Sequence, residues 1–445
     1  MGNLSQQIKL IIKDKAKNGD CYAMYQQKKV FVPNSVIGDE LLVELEDEHP
    51  TYFNAQIIEI IKPSSKRTQS YCNNNCGACS YLLVDYQNEL QEKKADLLQL
   101  FANTIESDVL NSLIVNGMVS PFNYRNKAIY ACDYRNEEMI VGLYSKRSHN
   151  IIPIHECALE DKWIANLKNK IIEILSLEDS AIKSKLRYLF FRGFSETQKM
   201  CVLVFSERVS LKHETKLVEL CRTQNINSLQ ININNSDGNR ILGDEFITLN
   251  GDNHIYLELL NKKFKVTPKS FFQVNKVQTE ILYSKAIELL APKSNEILAD
   301  LYCGVGTISL SVADKVKKVY GVECVKEAID DAIENAKLNN ITNTEFICGY
   351  VENVIPELFK NNNKIDIAIL DPARKGCEQV VLSTIADYNI ERLVYISCNP
   401  TTQKRDIEYL KQLGYVVTHL EAVDLFPHTE HVETVILLSR GKQNG

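Results

Sequence analysis

From residue 297 onward the chain alternates between two hydrophobic patterns. Short apolar runs at 297–302, 319–323, 344–347 and 365–370 read as buried strands, and 308–313 and 325–339 read as helices. A further helix is predicted after Ser270-Phe271-Phe272-Gln273-Val274-Asn275, ending near Leu290. Such alternation implies a parallel sheet with helices on both faces. The run 393–396 adds another strand. Ser397-Cys398-Asn399-Pro400 stops it, because Pro400 has no amide proton and restricts the residue before it. Cys398 is thereby set at a strand end, the edge of an open α/β sheet where ligands bind.

The N-terminal pattern differs. Runs at 8–12, 21–25, 29–32, 41–45 and 54–61 predict about five short strands, with a turn at Lys17-Asn18-Gly19-Asp20. That suits a small β-barrel of oligonucleotide-binding type. Residues 62–67 read as a linker, and 81–105 carries apolar residues at helical spacing with Lys93 and Lys94 between them. The middle third is mixed. Strands are predicted near 124–144, 201–205, 228–234 and 263–266. Basic residues lie beside aromatics at Arg187, Phe191 and Arg192, with a basic turn at Lys146-Arg147-Ser148-His149. Cations that meet phosphates and rings that stack unpaired bases suit RNA.

Composition narrows this picture. At 445 residues the chain is too long for one ordinary core. Hydrophobic content of 44% and charged content of 24% are those of a soluble globular protein. No apolar run reaches membrane-span length, and the first residues lack a signal-peptide pattern, so a cytoplasmic protein is expected; a monomer is expected as well. Thirteen unevenly spread cysteines argue against a disulfide framework. The net charge of −6 does not announce a nucleic-acid binder, but a local basic surface would suffice.

Three stretches carry candidate chemistry. Cys72, Cys76 and Cys79 place three thiols in a tight polar loop, and Cys157 is a candidate fourth ligand. Four thiolates satisfy either a four-iron cluster or a tetrahedral zinc. Cys303-Gly304-Val305-Gly306-Thr307 follows a predicted strand, and Glu323 ends the next one, where a carboxylate can accept both hydroxyls of a ribose. The third glycine of the usual nicotinamide pattern is absent, as is the Lys-Ser/Thr of a P-loop. An adenosine cofactor without a pyrophosphate fits better, which points to S-adenosylmethionine and leaves a methyl transfer for the Cys398 thiol to assist.

Six motifs then converge. Ser-Phe-Phe-Gln-Val-Asn at 270–275, Asp-Leu-Tyr-Cys-Gly-Val-Gly-Thr at 300–307 and Val-Glu-Cys at 322–324 are three of them. Leu-Asp-Pro-Ala-Arg-Lys-Gly at 370–376, Ser-Cys-Asn-Pro at 397–400 and His-Val-Glu-Thr at 431–434 are the others. Together they resemble the RNA uracil-5-methyltransferases, over nearly the whole chain. The resemblance implies an α/β architecture whose C-terminal Rossmann-like S-adenosylmethionine methyltransferase domain occupies 263–445. It implies a mixed α+β central domain at 63–262 bearing a 4Fe-4S cluster on Cys72, Cys76, Cys79 and Cys157, with zinc as the alternative. A TRAM-like β-barrel at 1–62 completes the expected organisation, with RNA bound by the first two domains. Gln273, Tyr302, Glu323 and Asp371 match the family's cofactor-binding residues, Cys398 its nucleophile and Glu433 its base. Where relatives often have five residues between the first two cluster cysteines, this chain has three.

The expected reaction forms 5-methyluridine. A thiolate added at carbon 6 of uracil makes carbon 5 electron-rich; carbon 5 takes the methyl group, a base removes its proton, and the thiolate leaves. His428 and His431 are rival bases. A cytosine-5-methyltransferase would carry a cysteine after the proline of Asp371-Pro372-Ala373, and an amino-group methyltransferase a second proline there; neither is present. A non-catalytic RNA-binding module would need neither Cys398 nor the glycine turn. Within the family, a TRAM-like module combined with cluster cysteines looks more like the branch acting on 23S rRNA, with tRNA as the alternative.

Overall fold

A computed structural model describes residues 6–16, 19–74, 76–145, 148, 150–360 and 364–441. The chain divides into two compact units, one of residues 1–96 with 426–431, the other of 97–425 with 432–445.

The first unit is built on a six-stranded sheet in the order Gln6–Ile11, Glu40–Glu48, Tyr52–Lys62, Lys28–Phe31, Cys21–Tyr25, Asp14–Lys15. Residues 6–15 pair with one edge and then, past Ile12, with the other: Lys13 N–H donates to the Tyr22 carbonyl. The sheet thus curls into the expected small barrel. Alternate residues of Glu40–Glu48 point inward, and Ile8, Val30, Leu41, Val43 and Phe53 fill its centre. The segment expected to be a linker is tied down. Ser64 N–H and the Arg67 guanidinium both bond the buried Asp39 carboxylate. The helix that follows spans Tyr86–Phe101, shorter than the predicted 81–105, because Asp85 accepts the amides of Gln87 and Asn88 and so starts it there.

The second unit holds two large sheets. One orders its strands Ile151–Pro153, Glu138–Tyr144, Lys127–Arg135, Leu186–Gly193, Lys199–Phe205, Ser228–Ile233, Glu245–Gly251. The other has eight strands: Thr344–Cys348, Lys318–Glu323, Ile297–Leu301, Ile367–Leu370, Arg392–Ser397, Glu433–Arg440, Tyr415–Val423, Ile114–Asn116. Its first five run parallel, as the alternating pattern predicts, and Glu433–Arg440 runs antiparallel between its neighbours. The three-residue strand at 114–116 escaped sequence reading because so short a run carries no period. One hydrophobic cluster runs from Phe190 and Val202 through Phe264 and Leu282 to Ile369 and Ile396, so both sheets share a core.

Strand order reverses between Ile297–Leu301 and Ile367–Leu370. Chain direction leaves the first of these toward Lys318–Glu323 on one side, and the second leads toward Arg392–Ser397 on the other. Beyond the carboxyl ends of these two strands lies the crevice that open α/β sheets use for ligands.

Candidate functional site

The glycine turn opens at this crevice. Tyr302 takes a left-handed backbone, φ 75°, directly after Ile297–Leu301, a conformation costly for an aromatic residue. Gly304, φ 55°, has open space where a Cβ would stand, and Gly306, φ 83°, precedes the Thr307–Val312 helix. Below the turn, Asp300 is fully buried; Ser309 donates to one of its carboxylate oxygens at 2.5 Å, and the other has no hydrogen-bond partner. Burial pushes the Asp300 carboxyl up to about 6. A buried acceptor left open beside a glycine cradle fits a cationic or hydrogen-bond-donating ligand.

The four residues expected to hold a cofactor all lie at the carboxyl edge. Glu323 ends its strand, half-buried, and accepts the Val325 amide at 3.0 Å. The Tyr302 side chain lies beside the Cys377 thiol. Gln273 and Thr307 share hydrogen bonds with the buried Tyr283 hydroxyl, and Asp371 is close enough to raise that phenol further. Asn126 fixes the Gln273 backbone by donating to its carbonyl at 2.8 Å. Asn275 caps the Lys276–Leu290 helix by accepting the Gln278 amide.

Cys398 follows Arg392–Ser397 as predicted, and the Pro400–Gln412 helix begins with proline in its first turn. The antiparallel partner strand brings Glu433 to the same end. Ser397 pairs with Thr434, so Cys398 and Glu433 each lie one residue from that pair at the strand tips. Thr434 locks the junction, donating to the Ser397 carbonyl and to Gln403 Oε1, while Gln403 Nε2 donates to the Tyr395 carbonyl. Glu433 is buried, and its carboxyl is pushed up to about 8 by that burial and by the charge of Asp371. Asp371 itself is pushed up to about 7 by burial and by Asp300. Cys398 is half-buried; burial and the Glu433 carboxylate raise its thiol, and Arg374 opposes them.

One cation counters these carboxylates. The Arg374 charge acts on both Cys398 and Glu433, lowering each. Its loop is strapped to the turn after Cys398: Asn399 Nδ2 and Thr402 Oγ1 both donate to the Arg374 carbonyl, at 2.8 and 3.1 Å. Sequence reading passed over Arg374 although its motif was in view, since nothing in the spacing shows which side chain of that loop reaches the thiol.

Other expectations fared differently. Arg192 is no RNA contact; it is buried and donates to the carbonyls of Thr267 and Ser270. Arg187 Nη1 donates to the carbonyls of Asn234 and Ser236. Lys146, Arg147 and His149 lie outside the described residues. His428 packs its ring on Tyr71 and Tyr86 within the first unit and donates its backbone N–H to Glu89 Oε1. On the barrel, Tyr22, Phe31, Tyr52 and His49 form a row of touching rings with Lys29 over Tyr22.

Cys72, Cys76 and Cys79 stand half-buried in a loop of the first unit, where Asn74 N–H points at Cys72 Sγ at 3.4 Å. Cys157, in the second unit, is half-buried, with the charges of Arg125 and Lys168 close to its thiol. Among the described residues no three His, Cys, Asp or Glu side chains are gathered as a metal-binding group. The donor chemistry still fits a thiolate centre, because amide donors and cations both favour ionised sulfur. Among the described residues no helix is long and apolar enough to cross a membrane.

Known proteins resemble this chain over most of its length. The sequence model of the tRNA (uracil-5-)-methyltransferase family matches residues 85–441. An RNA methyltransferase of Clostridium tetani is 36% identical over 428 residues, covering 92% of this chain and 91% of its own. One from Bacillus cereus is 34% identical, covering 97% and 96%. Among solved structures, the Pyrococcus abyssi tRNA (uracil-54, C5)-methyltransferase in complex with S-adenosyl-L-homocysteine aligns with a TM-score of 0.78 at 25% identity, over 97% of this chain and 99% of that one.

Proposed function

This chain belongs to the tRNA (uracil-5-)-methyltransferase family and is an RNA uracil-5-methyltransferase; from that premise we propose that Cys398 and Glu433 carry its chemistry. The observation that carries the reading is the pairing of Ser397 with Thr434, which sets a thiol and a buried carboxyl side by side at the edge of the cofactor crevice. Cys398, its thiol proton given up to solvent, adds as the thiolate to carbon 6 of uracil. Glu433 accepts the carbon 5 proton after methylation, and the carbon–sulfur bond breaks in the same elimination. A carboxyl held near 8 is a stronger base, once ionised, than an ordinary glutamate. The target base must leave any stack to reach Cys398.

S-adenosylmethionine, bound over the glycine turn, supplies an electrophilic methyl group. Glu323 would hold the ribose hydroxyls, and Gln273, Tyr302 and Asp371 would hold the rest of the cofactor. The unpartnered oxygen of Asp300 supports a cationic ligand here. A four-iron cluster is assigned to Cys72, Cys76, Cys79 and Cys157. Cys76→Ser should release iron and bleach the brown colour of anaerobically purified protein; zinc in place of iron in the wild type removes the cluster.

The barrel at 1–62 and the segment 63–262 are assigned to RNA binding, supported by the ring row on the barrel. The substrate is assigned as 23S rRNA, from the joint presence of barrel and cysteine loop. Transfer RNA is the second reading, favoured by the named substrate of the Pyrococcus neighbour. Mapping 5-methyluridine in a deletion strain separates the two.

The mechanism is tested by trapping. Glu433→Gln should accumulate a covalent RNA–protein adduct, seen as a gel shift, that Cys398→Ala abolishes while retaining cofactor binding. Turnover by Cys398→Ala would remove it as nucleophile.

A further inference from the structure

The strand end that carries Glu323 also carries two thiols that methyl transfer does not use. Cys324 directly follows the Lys318–Glu323 strand, and Cys348 closes the neighbouring Thr344–Cys348 strand; both are free and exposed. Parallel register sets Glu323 opposite Cys348, and Gly349 N–H donates to the Glu323 carbonyl at 2.9 Å, so the ladder fixes the spacing of the two backbones. A residue one place beyond such a pair has its Cα roughly 5–6 Å from the partner, inside the window a disulfide spans. Cys348 Sγ reaches the Cys324 segment, 3.8 Å from its carbonyl, and its charge acts on the Cys324 thiol. Cys324 Sγ, in turn, donates to Glu323 Oε1 at 3.3 Å.

We propose that Cys324 and Cys348 are an oxidisable dithiol whose disulfide weakens cofactor binding at Glu323. The second half of this inference rests on Glu323 holding the ribose. The oxidant is a peroxide. The Cys348 thiolate attacks one peroxide oxygen, hydroxide leaves, and a sulfenic acid remains; the Cys324 sulfur attacks the sulfenic sulfur and expels its oxygen as water. Two electrons pass from the thiol pair to one peroxide, and the two thiol protons end in two waters. Burial and the adjacent Glu323 carboxylate raise the Cys324 thiol, which assigns the first attack to Cys348.

The consequence follows from the contacts. In the reduced protein Glu323 Oε1 is oriented by two donors, the Val325 amide and the Cys324 thiol. A disulfide removes the thiol proton and draws the Cys324 sulfur toward the next strand. The ribose-binding carboxylate then loses one of its two supports, and the bend that bears it shifts.

The full-length reduced protein is treated with hydrogen peroxide. The 324–348 linkage is read by mass spectrometry under non-reducing conditions, and S-adenosylhomocysteine affinity by calorimetry. The expected result is a Cys324–Cys348 bond with affinity lowered roughly tenfold or more, restored by dithiothreitol. Cys348→Ser should keep its affinity through the same treatment, which separates this event from damage at Cys398 or the cysteine loop. Absence of the linkage, or a linked protein that binds as before, overturns the proposal. A Glu323→Gln variant tests the ribose contact by itself: if it weakens binding while oxidation does not, the site assignment survives and the switch does not.

Discussion

Cys398 and Glu433 face opposite demands. Each must lose a proton to act, yet both are buried or half-buried among acids that oppose this. Arg374 is the one named cation lowering both, so it sets how much of the site is active at neutral pH. Arg374→Gln should raise the pH at which Cys398 ionises and at which Glu433 becomes a base. Iodoacetamide labelling of the Cys398 peptide against pH reads the first directly, and the acidic limb of turnover reads the second. Both should move to higher pH, with activity at pH 7 falling roughly 100-fold. An unchanged labelling profile would show that Arg374 serves only to hold the loop.

Among the elements, the loop 371–377 decides whether that charge arrives. It is held by the helix after Cys398, through Asn399 and Thr402 onto Arg374 and through Asp406, which accepts the Cys377 amide and the Tyr395 hydroxyl. Gly376 permits the turn at φ 77°, and a Cβ there would stand 2.5 Å from Asp406 Oδ2 and 2.8 Å from Arg405 Nη2. Gly376→Ala should therefore destabilise the protein by about 1–2 kcal/mol. Because the strain falls on the loop that bears Arg374, turnover should drop more than the melting midpoint suggests. A melting shift with unaltered kcat would sever that link. The sequence showed the strand and the stop around Cys398, since apolar runs and proline act locally. It did not show the strap, because these bonds join residues about thirty positions apart.

For the molecule as a whole, Asp300, Asp371 and Glu433 concentrate buried acid at one sheet edge, held up to about 6, 7 and 8. Unfolded, such groups titrate near ~4. The fold therefore binds more protons than the unfolded chain between those values, and stability from these groups falls as pH rises. It is complete below the unfolded value and lost as pH climbs through 6 to 8. Asp371→Asn removes one such group, so the cofactor-free variant should gain on the wild type with rising pH, by up to about 1.4 kcal/mol per pH unit. Urea melts at pH 5.5 and 8.5 test this. A difference that stays constant with pH would mean that Asp371 is ionised throughout.

By itself the sequence determined the α/β class, the small barrel, the glycine turn and the strand end bearing Cys398, because hydrophobic period, proline and glycine impose local geometry wherever they occur. It also determined the family, since six short motifs in order admit few other readings. Tertiary structure alone decided which residues meet. The last strand had to run antiparallel between its neighbours before Glu433 could come beside Cys398, and a loop had to be strapped back before Arg374 could act on both. Only the parallel ladder set Cys348 against the Glu323 strand end. Proton affinities were decided there too, since burial and the approach of like charges are properties of the packed edge and not of any stretch of chain.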